Sequence, residues 1–383
     1  MIAVLFAAAA WTGTWASAPV RADETQSFQG DTLREVAHIS IGGAQVRVRF
    51  TNRFGDTPLV IGGAAVALQQ NGPAPVAGTA RALTFMGKRS ITIAPHADVY
   101  SDPATLAVPA QSNLLVDIFM PGPTGPSTMH ALAYQTNYYA IGNDVASASG
   151  EPFRYTNQSW YFLSGIDVSS AAAHRAVVTF GDSITDGAGG KKNANDRWPD
   201  FLAARLLTLP ARRQLGVLNE GISGNRILLS GPFFGIDALA RLDRDVLSQS
   251  GVDDVMIMLG INDIQQDPHQ YDPSPIEQGL EQLVTQAHAR GLRVTGCTLT
   301  PYQGWMTYDE RGEATRLAVN AFIRTSGTFD AVADFDAAVR DPQDPHRLLP
   351  RYDSGDHLHP NAAGHIAMAN AVDLNSLTNA APR

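Results

Sequence analysis

Hydrophobic and polar residues follow two different rhythms along this chain, and the change falls near residue 170. In AQVRVRFTN, residues 44–52, Val46, Val48 and Phe50 alternate with Arg47, Arg49 and Thr51. A period of two places these sets on opposite faces of a strand, which predicts a half-buried strand with one wet face. PLVIGGAAVAL, RSITIAP, NLLVDIFMPGP and ALAYQTNYYA are further short apolar or alternating runs, each bounded by Gly, Pro, Asn or Asp. No window between residue 24 and about 165 keeps a 3.6-residue apolar stripe over three turns. Short strands at such spacing predict an all-β, jelly-roll-like sandwich over residues 23–170. SGIDVSSAAAHR, residues 164–175, is the expected junction.

From Ala176 the rhythm is that of alternating strands and helices. AVVTF, GVLN, DDVMIML, LRVTGCTL and FDAVADF read as strands, with helices expected at about 198–208, 237–249, 275–290, 309–326 and 361–373. In PIEQGLEQLVTQAHARG, Ile276, Leu280, Leu283, Val284 and Ala287 share one helical face, and Gly291 ends the helix. Strands that are apolar on both faces, each followed by a helix, predict a parallel sheet covered on both sides. A three-layer α/β/α domain is therefore expected over residues 171–378. Ligands in such sheets sit at the carboxyl ends of the strands.

Composition narrows the function. Two domains suit 383 residues. A formal charge of −9 supplies no basic stripe for phosphates, which argues against a nucleic-acid partner. The single cysteine, Cys297, excludes an internal disulfide and a cysteine metal cluster. It lies in a strand-like run, where a buried, inert thiol is expected. The first 22 residues combine an apolar stretch too short to span a bilayer with small residues, the pattern of an export signal. Pro19 obstructs cleavage after ASA, so VRA before Asp23 is the expected site, although nothing basic precedes Arg21. A secreted or periplasmic protein is the expectation, with no membrane helix elsewhere in the mature chain.

Four polar motifs then fall at one edge of the predicted sheet. GDSITDG follows AVVTF, GISGNR follows GVLN, GIND follows DDVMIML, and DSGDHLHP precedes the last helix. Each alone has an ordinary structural explanation. A serine after a strand commonly caps a helix, and SGN is a common turn. Asn262 could brace its own loop, and Asp356 and His359 could stand at a helix entry with Pro360 pre-setting the first turn. Together they supply a hydroxyl, an imidazole base and an acceptor for its tautomer, which are the parts nucleophilic catalysis needs. Asp356, His357 and His359 would need distant ligands to close a zinc site, so no metal is expected.

These blocks, in this order over residues 176–373, resemble the GDSL-type SGNH hydrolases, and RWPD at 197–200 is similar to that family's first helix. The resemblance implies a serine esterase without a cofactor, with Ser183 as nucleophile, His359 as base and Asp356 as its orienting acid. It also implies that Gly224 and Asn262 donate to the oxyanion together with the Ser183 N–H. The Asp-x-x-His spacing and the following proline select His359 over His357. A β-sandwich ahead of such a domain resembles secreted bacterial carbohydrate esterases, which implies short acyl, acetyl-type esters of a small molecule or polysaccharide. Two alternatives stand beside it. One is a lipolytic enzyme, lysophospholipase- or thioesterase-like, for longer acyl chains. The other is a glycan-binding protein with a vestigial hydrolase domain, against which the five intact site residues argue. For the front domain, Tyr134, Tyr138 and Tyr139 could bind glycan or fill the core, or the domain could pack over the active-site edge and narrow the pocket. Acyl length, alcohol and oligomeric state are open at this stage.

Overall fold

In the computed structural model, which describes residues 10–23, 26–170, 174–232 and 234–378, the front half is antiparallel throughout. One sheet has the order Trp11–Ala16, Leu163–Ser169, Gly43–Thr51, Asp98–Tyr100, and Ala104–Val108 also pairs with Gly43–Thr51. The second sheet centres on Asp31–His38, Asn113–Met120 and Gly63–Asn71, with Asn137–Ile141 and Tyr155–Asn157 towards one edge. The period of two puts Val46, Val48, Phe50 and Ile166 of the first sheet into one core with Leu33, Val66, Leu114, Val116 and Ile118 of the second. The result is a two-sheet antiparallel sandwich.

Two expectations need correction. The expected wet face of Gly43–Thr51 is largely covered: Arg49 is 7% exposed and Thr51 1%, while the Arg47 side chain stays 24% exposed at the boundary with the back half. Charge there is satisfied across the boundary. Arg47 Nε donates to Asp167 Oδ2 at 2.8 Å and its terminal nitrogen to Ser250 Oγ at 3.0 Å, while Ser250 Oγ donates to the same Asp167 oxygen at 2.6 Å.

The second correction concerns residues 1–22. Residues 1–9 lie outside the described residues, but Trp11–Ala16 pairs with Leu163–Ser169, and Val20–Arg21 pairs with Thr128–His130. Trp15, Ala18, Val20 and Ala22 belong to the sandwich core. Cleavage after Ala22 would strip two strands and four core side chains, so the sandwich begins by Trp11 rather than at residue 23. A strand buried on both faces needs small and apolar residues at every position, and that composition is what made it look like a leader.

The back half carries a parallel sheet in the order Leu215–Gly221, Arg175–Gly181, Val252–Met258, Arg293–Cys297, Ala331–Ala333. Along Arg175–Gly181, Val177 packs with Leu202 and Met368 of the helices Trp198–Leu207 and Ala362–Ala371. Its neighbours Ala176, Val178 and Phe180 pack the other way, with Leu280 of Pro273–Ala289 and Val319 of Glu310–Thr325. The three-layer α/β/α arrangement follows from that alternation. The helix expected at 237–249 is shorter, Ala238–Leu242, and continues as a wide π turn, Asp243–Leu247. Cys297 is buried, and burial pushes its thiol far up, as an inert structural cysteine requires.

The second strand in sequence lies on one side of Arg175–Gly181 and the third on the other, so the chain reverses direction across the sheet at that point. A crevice opens outside the carboxyl ends at such a reversal. The halves meet tightly beside it. A Cβ on Gly216 would lie 2.1 Å from the Gly13 carbonyl oxygen, the Gly13 N–H donates to Ser250 O at 2.8 Å, and the Val217 N–H donates to Ser40 Oγ at 2.9 Å. Among the described residues no helix is long and apolar enough to cross a membrane, and no cluster of three metal-ligating side chains occurs.

Candidate active site

Ser183 opens a single helical turn, Ser183–Asp186, directly after the Arg175–Gly181 strand. The cap of that turn is Asp182, whose side chain accepts from the Ile184 N–H at 3.1 Å. Capping, the ordinary use of a serine here, is thus done by its neighbour, and the Ser183 hydroxyl is left for another partner. That partner is His359 Nε2, at 2.8 Å. His359 Nδ1 donates to Asp356 Oδ2 at 2.6 Å, and Asp356 Oδ1 accepts the backbone N–H groups of His359 at 2.9 Å and Leu358 at 3.0 Å. Partial burial works against charge on Asp356, but the hydrogen bonds and the imidazole prevail and hold its carboxyl well below the usual carboxylate range. With Nδ1–H committed to a carboxylate, Nε2 is the acceptor facing the serine.

His357, the neighbouring candidate, turns away and bonds Asp353 Oδ2 through Nδ1 at 2.5 Å. The helix Ala362–Ala371 is capped by Asn361, whose side chain accepts from Ala363 and Gly364, so neither Asp356 nor His359 serves as its cap.

Gly224 and Asn262 come from the loops after the second and third strands. Gly224 sits at φ +80°, and a Cβ there would lie 2.2 Å from the Phe234 ring, so only glycine fits. Asn225 is buried and anchors this loop. Its amide donates to Phe234 O at 2.7 Å and Ile236 O at 2.8 Å, and its oxygen accepts from Arg241 Nε at 2.9 Å. Arg241, fully buried, also donates to Gly181 O and Glu220 O at 2.8 Å each, which ties the ends of the first two strands to the loop. Asn262 Oδ1 accepts from Gln265 at 2.7 Å and Gln266 at 3.0 Å, while its nitrogen donates to Asn225 O at 3.1 Å and keeps one proton free. Asp263 receives the N–H groups of Ile227 at 2.9 Å and Leu228 at 3.0 Å and so joins the third-strand loop to the second. The N–H groups of Ser183 and Gly224 have no hydrogen-bond acceptor among the described residues. One buried oxygen of Asp182 also lacks a donor, and burial pushes this carboxyl up to about 7 against the opposing pull of the Ile184 N–H and His359.

Ser183, Gly224, Asn262 and His359 line a cavity of about 560 Å³ whose apolar walls are Leu132, Phe234, Trp305, Met306 and Leu358, with Tyr134. The Trp305 ring meets His359 edge-on at 5.8 Å. Leu132 and Tyr134 belong to the front half, so the sandwich does pack over the active-site edge. Its 131–136 segment is pinned there. Arg197 donates to Ala133 O, the Asn193 N–H donates to Tyr134 O at 2.8 Å, and Gln135 donates to Asn193 Oδ1 at 3.0 Å. Burial, with the charge of Asp186, raises the Tyr134 phenol to about 12. Of the other two tyrosines, Tyr139 packs on the sandwich core and stacks on Tyr155 at 4.9 Å, and Tyr138 is half-buried.

The sequence motifs reached the residues at the sheet edge. They missed the walls, because Leu132, Phe234, Trp305 and Met306 sit in loops without periodicity. They also missed Arg241 and Asp263, whose only signal was a charge among residues otherwise placed for burial.

Residues 179–367 match the model of the GDSL-like Lipase/Acylhydrolase family. No curated protein matches the sequence. Solved structures similar to the back half include a GDSL-like lipase from Bacteroides thetaiotaomicron VPI-5482, at 20% identity and a TM-score of 0.38, covering 51% of this chain and 85% of that one. An acetyl xylan esterase aligns at 22% identity and a TM-score of 0.40, with 51% and 96% covered. A catalytic mutant of an acetylxylan esterase from Geobacillus stearothermophilus aligns at 24% identity and a TM-score of 0.40, with 51% and 91% covered. With an acylhydrolase model matching the segment that holds all four loops, residues 179–367 belong to the GDSL-like lipase/acylhydrolase family, and the protein is a carboxylic ester hydrolase.

Proposed function

We propose that the protein hydrolyses carboxylic esters through an acyl-enzyme on Ser183. The observation that carries this reading is the unbroken chain from Ser183 Oγ through His359 to Asp356, at 2.8 and 2.6 Å. His359 takes the serine proton as Oγ attacks the ester carbonyl, and Asp356 holds the imidazole and stabilises the cation formed. The tetrahedral oxyanion collects the free N–H groups of Ser183 and Gly224 and the spare amide proton of Asn262. Collapse expels the alcohol, which takes the proton from His359. Water, deprotonated by the same His359, then releases the carboxylic acid and restores Ser183. No step calls for a metal or an organic cofactor.

Acetyl-type esters, including those of carbohydrate, are the substrates expected from the order of the two domains. The walls formed by Leu132, Phe234, Trp305 and Met306 favour a second reading, an ester with a larger apolar acyl or alcohol part, since apolar surface binds by removing apolar area from water. p-Nitrophenyl esters from acetate to palmitate, with acetylated xylan alongside, separate the two. A rate maximum at acetate supports the first reading, and one at longer chains the second. Absence of activity on every ester, or undiminished activity in Ser183→Ala, would overturn the mechanism, and the former would return the chain to a glycan-binding role.

A further inference from the structure

We propose that His130, a residue of the front sandwich, positions the oxyanion donor Gly224 through Asp186 and Ser223. His130 is 5% exposed and lies at the end of the Thr128–His130 strand. Its Nδ1 is 2.8 Å from Ala18 O, and its Nε2 is 3.0 Å from Asp186 Oδ1. A carbonyl oxygen and a carboxylate oxygen both accept, so the ring bonds both only by donating from both nitrogens, as an imidazolium. The other Asp186 oxygen accepts twice from Ser223, from its N–H at 3.1 Å and from its Oγ at 2.7 Å. Ser223 immediately precedes Gly224, and Asp186 ends the helical turn that begins with Ser183. A charge-assisted chain therefore starts on a strand of the sandwich, crosses the turn that carries the nucleophile and ends on the oxyanion loop.

The groups facing His130 come from both halves. Asp186 lies on the nucleophile turn. Arg197, whose Nε donates to Asp186 O at 2.7 Å, follows on the next loop. The Trp160 ring lies 5.5 Å away on the neighbouring strand, and the Tyr134 phenol stands near Asp186. Burial and Arg197 oppose a charge on His130, but Asp186 outweighs them and the imidazole is raised above its ordinary value. A neutral His130 could donate from only one ring nitrogen, so losing its charge removes the ion pair with Asp186 and leaves either Asp186 Oδ1 or Ala18 O without a donor, which weakens the anchor of Ser223. Displacement of a catalytic donor by about 1 Å can cost about 10²-fold in rate. An inter-domain ion pair with no catalytic reach would alter stability alone.

The proposal rests on Gly224 being an oxyanion donor and is tested on p-nitrophenyl butyrate with His130→Gln, Ser223→Ala and the double variant. Each single change is expected to lower kcat by about 10–10²-fold with KM within about twofold, because the donor acts on the transition state. The double variant should be no slower than His130→Gln, since both changes break one chain. Wild-type kcat should fall again at alkaline pH as His130 loses its second proton, and this limb should be missing from His130→Gln. An unchanged kcat in either folded single variant, additive losses in the double, or an alkaline limb retained in His130→Gln would overturn the role. If His130→Gln fails to fold, the kcat of Ser223→Ala against wild type decides. Ser183→Ala, run in parallel, tests the esterase mechanism separately, because its full activity would sink that mechanism whatever happens at His130.

Discussion

Two regions meet at the cavity, and they are built differently. On the hydrolase side the proposed reacting groups stand just beyond strand ends or, for Asp356 and His359, before the helix Ala362–Ala371, and the loops of Gly224 and Asn262 are locked by buried hydrogen bonds of Asn225, Asp263 and Arg241. On the sandwich side Leu132 and Tyr134 touch the same space from a loop more than 40 residues earlier in the chain, with no polar group assigned to the chemistry. Bond-making is thus assigned to rigid parts close together along the sheet edge, and one wall of the substrate space is contributed by a separate fold. Substitutions on the first side should strike kcat, as should a change at His130 behind the cavity, whereas substitutions in the sandwich's own cavity wall should change which ester is preferred.

The largest expected effect is that of Ser183→Ala, a loss of about 10⁴–10⁶-fold in kcat on p-nitrophenyl butyrate, read by steady-state kinetics. Asn262→Ala comes next, at about 10²–10³-fold in kcat with little change in KM. A mainly KM effect there would break the comparison. Across the cavity, Leu132→Trp should leave p-nitrophenyl acetate within about twofold and lower kcat/KM on longer esters by about tenfold, the scale at which apolar pockets discriminate. Leu132 is 44% exposed, so the substitution needs no repacking of the core. A parallel loss on all chain lengths would remove the selective role from the sandwich side.

The smallest effect concerns Asp182, whose folded carboxyl stands at about 7, above its ordinary value. As pH rises from about 4 to 7 the unfolded chain releases this proton before the folded one does, so this group lowers stability across that window. Asp182→Asn keeps the cap and removes the charge. It should raise Tm at about pH 8 by about 2–4 °C, corresponding to about 1 kcal/mol, and the gain should vanish near pH 4. Thermal unfolding at the two pH values checks it.

Sequence reading was strong where function and local structure share the same residues. Apolar runs bounded by loops located all five parallel strands, and the helix expected at 275–290 is Pro273–Ala289. Ser183, Gly224 and Asn262 gathered at one edge because their motifs adjoin strand ends, and the loop before the helix Ala362–Ala371 brings Asp356 and His359 to them. The reading failed where burial is decided by a distant partner. Arg49 and Thr51 look solvent-facing until the hydrolase half covers them, and Trp11–Ala16 looks like a leader until its two flanking layers are known. His130 was invisible for the same reason, since nothing near it in the chain foretells Asp186.

The close approach of Gly13 to Gly216 has a practical consequence for anyone who wishes to dissect this enzyme. Cutting the chain near residue 170 would leave a hydrolase fragment with Leu218 uncovered and Asp186 without its cation, and a sandwich fragment with its Arg49 face bare. Chimeras with a foreign sandwich would need small residues at the Gly13 and Gly216 positions, the Ser40 bond to the Val217 N–H and a histidine opposite Asp186 all at once. The two folds are therefore a single unit of engineering, to be exchanged together or left alone.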